Sequence, residues 1–207
     1  MTDESIDVTP RRRPLQARSR ERVDTILRHA AAIFHENGVD GTSMSAIARQ
    51  SGMSLASLYR YFPNKPAIVH ALAEGHVQKM EEALREKLPE LTLSEAVDVL
   101  IDQFYDFYRT EPAYSAIWSG VEAMPELREL DLRELYSNAR DLDARLAEEY
   151  PELPEERRWT ASLVLLRSAG SILRLAATLP ELQGGQLVAE FKCMVRAYLS
   201  ELIRQER

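Results

Sequence analysis

The chain has 207 residues, 45% hydrophobic and 29% charged, with a formal net charge of −7 and one cysteine, Cys193. That length suffices for one large domain or two small ones with real cores, and no run of about 18 apolar residues suggests a membrane span. The opening MTDESIDVTPRRRP has no apolar segment resembling a secretory signal, and a lone cysteine excludes an intrachain disulfide framework, so a cytoplasmic location is expected.

Residues 1–17 read as a flexible basic arm containing Arg11, Arg12 and Arg13. From Ser19, Val23, Ile26, Leu27, Ala30, Ala31 and Phe34 recur at helical spacing and make one apolar face, which Gly38 closes as a left-handed cap. Thr42 or Ser43 caps a second helix over 44–51; Gly52 breaks it, and Ser54 caps a third over about 55–61. Asn64 can cap a long helix from Lys65 to about Lys87, closed by Pro89. Thr92 and Glu95 form a capping box for a helix to about Thr110. Pro112 can start a short helix to about Ser119, and a long charged helix follows Pro125 to near Tyr150. Helices over about 155–178 and 186–205 close the chain, with Pro180 and Gly184-Gly185 between them. No strand alternation or internal repeat is found, so the expected fold is all-α with about nine helices.

Net charge alone argues against nucleic acid, but its distribution reverses that. Residues 10–66 carry ten basic and four acidic side chains, whereas residues 67–207 carry sixteen basic and twenty-six acidic ones. A basic module on an acidic body is the footprint of a polyanion-binding head, with chance clustering in a helical protein as the bland alternative.

Within the basic module, Ser43 to Pro66 reads as a helix-turn-helix. Two helices that cross closely need a small residue on the inner face, a turn residue tolerant of positive φ, and apolar positions facing back to the core. Ala48 is the small residue, Gly52 follows four positions later, and Ile47, Met53, Leu58 and Tyr61 supply the inward positions. Ser51 stands where an apolar residue would pack better. The outward residues are then Leu55, Ala56, Ser57, Tyr59 and Arg60. Ser54 and Ser57 can offer hydroxyls to phosphate or base edges. Tyr59 can donate to phosphate, Arg60 can reach phosphate or a guanine edge, and Leu55 and Ala56 suit only apolar contact. Lys65 sits at a helix start, where ammonium and backbone amides both attract phosphate.

Residues 20–80 resemble the DNA-binding domain of the TetR family of bacterial transcriptional regulators. The resemblance rests on RVDTILRHAAAIFHENG, on GTSMSAIARQSGMSLASLYRYFPNKPAIVHAL, and on the hallmark Leu58-Tyr59-Arg60-Tyr61-Phe62 followed by Lys65. It implies that Tyr59 and Lys65 grip phosphate and that Thr42, Ser43 and Ser57 lie at the DNA surface. Family members often carry a basic residue after the cap and then glycine or proline; here Leu55-Ala56 stands there. The implied organisation is a helix-turn-helix domain over 18–66 and a ligand-binding and dimerisation domain over 67–207.

In the acidic body, six of the fifteen aromatics fall between residues 104 and 118. Phe104, Tyr105, Tyr108, Tyr114 and Trp118, with Met124 and Trp159, are candidates to line a pocket for a small apolar or aromatic effector, against the alternative of ordinary core packing. The resemblance implies such a pocket. It also implies that the last two helices pair with their twins in a homodimer, and Leu163, Leu166, Gly170, Leu173, Phe191, Val195 and Tyr198 are the candidate interface. A twofold dimer predicts a near-palindromic double-stranded DNA operator. His29, His35, His70 and His76 have no metal-ligand spacing, and no nucleophile elbow, phosphate loop or dinucleotide fingerprint occurs, so no metal, cofactor or enzymatic activity is expected. The expected function is a sequence-specific transcriptional regulator, a repressor released by its effector. The alternative is an effector-independent DNA-binding protein controlled by a protein partner.

Overall fold

The computed structural model describes residues 17–85, 91–111 and 113–204. Among these are nine α-helices: α1 (Ala17–Asn37), α2 (Met44–Gln50), α3 (Leu55–Tyr59), α4 (Lys65–Arg85), α5 (Leu93–Thr110), α6 (Tyr114–Ala123), α7 (Arg128–Glu149), α8 (Glu155–Thr178) and α9 (Glu181–Arg204). One short 3-10 turn over Pro125–Leu127 precedes α7, and the described residues contain no strand, so the fold is all-α. Arg11, Arg12 and Arg13 lie outside the described residues.

The chain divides into two compact units. Among the described residues, the first comprises 17–79 together with 113–131, and the second comprises 80–85, 91–111 and 132–204. The packing boundary therefore does not follow the 66/67 boundary read from sequence: most of α4, and α6, belong with the helix-turn-helix. The reason is apolar matching. Ile26, Ala30 and Phe34 of α1, Ile47, Leu58 and Phe62 around the motif, and Ala67, Ile68, Val69 and Ala73 of α4 share one core with Ile117 and Val121 of α6. Burying a side chain such as Phe34 or Ile68 contributes about 1.5–3 kcal/mol, so these residues stay together. Gly120 of α6 lets Val39 approach, since a Cβ there would sit 3.1 Å from Val39 Cγ2.

The second unit is built on α5, α8 and α9. Ile101 and Tyr105 of α5, Leu165 and Leu173 of α8, and Val188, Phe191 and Val195 of α9 form its core. Its N-terminal anchor is the Thr92 capping box: Glu95 Oε2 accepts from Thr92 N–H at 2.9 Å and from Thr92 Oγ1 at 2.7 Å. These bonds hold the Glu95 carboxyl below the usual carboxylate range. Glu149 of α7 accepts from Leu93 N–H at 3.0 Å, and Arg145 donates to Leu91 O, tying the end of α7 to the start of α5.

Two boundaries differ from the sequence reading. The last helix begins at Glu181 rather than 186, running through Gly184-Gly185 instead of starting after them. The glycine at 184 serves close packing, because a Cβ there would collide with Ala176 O and the Tyr105 hydroxyl. Helix α6 starts at Tyr114, behind Ala113 at φ 60°, and continues past Ser119 to Ala123. Helix α8 contains an 18-residue window with mean hydropathy 1.2, long and apolar enough by composition to cross a membrane. It buries Ala161, Ser162, Leu165, Leu173 and Ala176 on one face, which packs against α5 and α9, while Val164 and Leu175 stay exposed on the other.

Candidate nucleic-acid interface

Ser43 caps α2 by accepting from Ala46 N–H at 3.2 Å, and Gly52 adopts φ +65° in the turn after that helix. Met53 N–H donates to Ala48 O at 3.0 Å across that turn, which brings α3 down on the small Ala48. Ser54 caps α3: its Oγ accepts from Ser57 N–H and donates to Ser57 Oγ, both at 3.1 Å. That leaves the Ser57 proton for an outside acceptor. Leu58 is fully buried, while its neighbours Tyr59, 41% exposed, and Leu55, 39% exposed, face out with Ala56 and Arg60. A five-residue helix holding one face in the core thus presents a hydroxyl and a phenol on the other, with the Arg60 guanidinium at its C-cap. Beside it lies an open recess of about 210 Å³ lined by Arg22, Met53, Ser57, Arg60 and Tyr61. Two guanidinium groups flanking a serine hydroxyl suit a phosphodiester. Arg22 escaped the sequence reading, although it lies four residues after Arg18 on the polar side of α1.

Two candidates are placed otherwise. Thr42 is only 3% exposed, and its hydroxyl donates back to Gly38 O at 2.8 Å. It closes the end of α1, so Ser43 alone is the cap and the surface hydroxyl. Lys65 directs its ammonium inward. Nζ donates to Val39 O at 2.6 Å, to Thr42 O at 3.1 Å and to Asp40 O at 3.5 Å. The helix start at α4 is capped by Asn64 Oδ1, which accepts from Ala67 N–H at 2.9 Å.

The aromatic candidates separate into two cores. Trp118 and Met124 pack against the first, and buried Tyr114 stacks on His76 with ring centroids 4.7 Å apart and lies beside Trp118 at 6.1 Å. Phe104, Tyr105 and Tyr108 pack in the second, where Arg174 reaches the Tyr108 hydroxyl at 3.4 Å and the Tyr105 hydroxyl is buried without a hydrogen-bond partner. Trp159 is half-buried and lies against Tyr136, centroids 6.1 Å apart.

Of the dimer candidates, Leu173, Phe191 and Val195 belong to the chain's own core, because their faces of α8 and α9 turn toward α5. Leu163, Leu166 and Gly170 are half-buried and Tyr198 is exposed. The large apolar side chains left in water on these helices are Val164, Leu175, Leu182 and Met194, none of which the sequence reading selected. Among the described residues, no three His, Cys, Asp or Glu side chains converge as metal ligands do.

A helix-turn-helix with an exposed polar and cationic recognition face, carried by an all-helical chain, defines a DNA-binding regulator. The family model for bacterial regulatory proteins of the tetR family matches residues 26–72, and that for the tetracyclin repressor-like C-terminal domain matches residues 91–203. The chain belongs to the TetR family. It is 27% identical over 168 residues to the nucleoid occlusion factor SlmA of Mannheimia succiniciproducens, covering 77% of this chain and 76% of that one. It is 30% identical to SlmA of Pasteurella multocida over 60% of this chain and 61% of that one. Among solved structures, a TetR-family transcriptional regulator from Streptomyces coelicolor superposes with a TM-score of 0.67 at 25% identity, over 87% of this chain and 99% of that one. Family membership sets the chain among DNA-binding regulators rather than enzymes.

Proposed function

We propose that this chain is a cytoplasmic homodimeric repressor that grips a near-palindromic operator and releases it when a small apolar or aromatic molecule binds. The reading rests above all on the exposed face of α3, where Ser54, Ser57, Tyr59 and Arg60 stand together beside Arg22. In this reading Tyr59 and Ser57 hold phosphates, Arg60 reaches phosphate or guanine, Ser43 supports from the start of α2, and Leu55 and Ala56 meet thymine methyl groups. The basic arm adds nonspecific attraction through Arg11, Arg12 and Arg13. Exposed Val164, Leu175, Met194 and Tyr198 supply an apolar surface that a second copy would cover. Aromatic side chains with directing hydroxyls in the second core, Tyr105 and Tyr108 with Arg174, support an effector role for that unit. Effector and DNA would then oppose each other with a coupling of about 1–3 kcal/mol.

The similarity to proteins named nucleoid occlusion factor favours a second reading, a DNA-binding protein controlled by a protein partner and indifferent to small molecules. One experiment separates them: selection of duplexes from random DNA, repeated with a metabolite pool. Repression by effector release expects selected palindromes whose binding the pool weakens. Selection that no small molecule alters leaves the partner-controlled reading, and failure to select any duplex sinks both.

A further inference from the structure

We propose that Lys65 is a positioning residue that fastens the α1–α2 turn, and with it the helix-turn-helix, to the start of α4, and is not a phosphate ligand. The inference rests on the DNA-binding reading above. An ammonium carries three donors and no acceptor. In Lys65 these meet three backbone carbonyls of one turn, Val39, Asp40 and Thr42, which lie 23 to 26 residues away in sequence. The turn starts at Gly38, φ +70°, and ends at Ser43, whose hydroxyl caps α2. Its own bonds are few: Thr42 N–H to Val39 O at 3.3 Å and the Thr42 hydroxyl to Gly38 O. Carbonyls just past a helix end gather negative partial charge, and Lys65 neutralises it from a flexible stem. The end of this turn at Ser43 fixes where α2 starts, and α3 packs on α2, so the latch sets where the recognition face sits relative to α4. A guanidinium cannot reproduce it, because its donors lie in one plane as a rigid fork, whereas an ammonium's three radiate from a single nitrogen on which the carbonyls of one turn converge. A phosphate, by contrast, accepts either side chain.

That difference makes the test. The probes are a duplex selected by the wild-type chain and a scrambled duplex of the same length, with Lys65→Met and Lys65→Arg titrated against both over a salt series. A latch expects both variants to lose about tenfold in affinity for the selected duplex, equivalent to about 1.4 kcal/mol. Binding to the scrambled duplex and the slope of log K against log salt stay at the wild-type values. If Lys65→Arg binds like wild type, or if Lys65→Met flattens the slope by about 0.9 while both affinities fall together, Lys65 is a phosphate ligand and the proposal is overturned. Amide exchange in the DNA-free chain gives an independent reading: Thr42 to Ala46 should exchange about tenfold faster in both variants while α8 and α9 stay unchanged. Unaltered exchange there overturns the latch even if the wild-type chain selects no duplex, an outcome that would sink the DNA-binding reading separately. Should Lys65→Met fail to fold, Lys65→Arg alone decides.

Discussion

Replacing Gly184 by alanine should destabilise the second unit, while the same change at Gly185 should not. Both glycines lie within the first two turns of α9, so the helix-propensity gain on leaving glycine, up to about 1 kcal/mol, is shared. Their surroundings differ. A Cβ at Gly184 would collide with Ala176 O and stand 2.5 Å from the Tyr105 hydroxyl, whereas nothing lies within 4 Å of one at Gly185. The carbonyl is backbone of α8 and cannot swing aside, so α9 must back away from α8 and the packing of Val188 and Phe191 must loosen. Overpacking of this kind costs about 1–3 kcal/mol. Subtracting the propensity gain leaves Gly184→Ala about 1–2 kcal/mol less stable and Gly185→Ala unchanged or slightly more stable. Urea unfolding followed by Trp159 fluorescence in a Trp118→Phe background reports the second unit alone. With a slope of about 2 kcal/mol per molar, the Gly184→Ala midpoint should fall by about 0.5–1 M. Equal shifts in the two variants would refute the close-approach account and return both glycines to the role of helix boundary.

Three further outcomes are expected. Ser51→Ala should stabilise the first unit by about 1 kcal/mol, because the Ser51 hydroxyl is buried without a hydrogen-bond partner, and thermal melting should rise by several degrees. Arg60→Ala should weaken binding to selected and scrambled duplexes alike if Arg60 meets phosphate, flattening the salt slope by about 0.9; an unchanged slope with lost sequence preference would assign it to a base edge. Glu95 is held ionised first by the Thr92 hydroxyl and then by the Thr92 backbone amide. A carboxyl with a lowered folded-state pKa stabilises above its unfolded value near 4.3 and loses that contribution as pH falls through the folded value. Protection of the amides in the first turn of α5, measured against the intrinsic exchange rate at each pH, should therefore fall as Glu95 is protonated in the wild type, and Glu95→Gln should remove that acid dependence.

What the sequence disclosed was what local chemistry decides. Caps at Ser43, Ser54 and Thr92 are short-range hydrogen bonds, and the positive φ at Gly38 and Gly52 comes from having no Cβ, so the helix-turn-helix was legible residue by residue. Side-chain direction over long range was not. Lys65 at a helix start looks free for phosphate until the carbonyls of Val39 and Thr42 are brought to it from 26 and 23 residues away. Leu173, Phe191 and Val195 repeat at helical spacing whether they face α5 or a second copy, and periodicity cannot tell the two apart. Tyr114 and Trp118 sit close to Tyr108 in sequence yet belong to a different unit, because residues 113–131 pack with the helix-turn-helix.

The latch also bears on how regulation would reach the operator. Helix α4 is one continuous element whose residues up to Lys79 belong to the first unit and whose remainder, from Met80 to Arg85, belongs to the second. Release of DNA by an effector, as proposed above, would need about 1–3 kcal/mol of coupling between the two ligands. A hydrogen bond from a charged donor contributes about 1.5–3 kcal/mol when a buried partner would otherwise go unsatisfied. Either bond from Lys65, to Val39 or to Thr42, is therefore alone as large as the coupling such a switch would require. A movement of the α4 start that stretches these two bonds would displace the α2 cap at Ser43 at a cost of that order, without loosening the apolar core beneath. The recognition face then need not unfold or swing as a domain; it need only lose its register with α4. In this account Tyr59 and Arg60 determine how tightly DNA is held, and Lys65 determines how strongly that grip depends on α4.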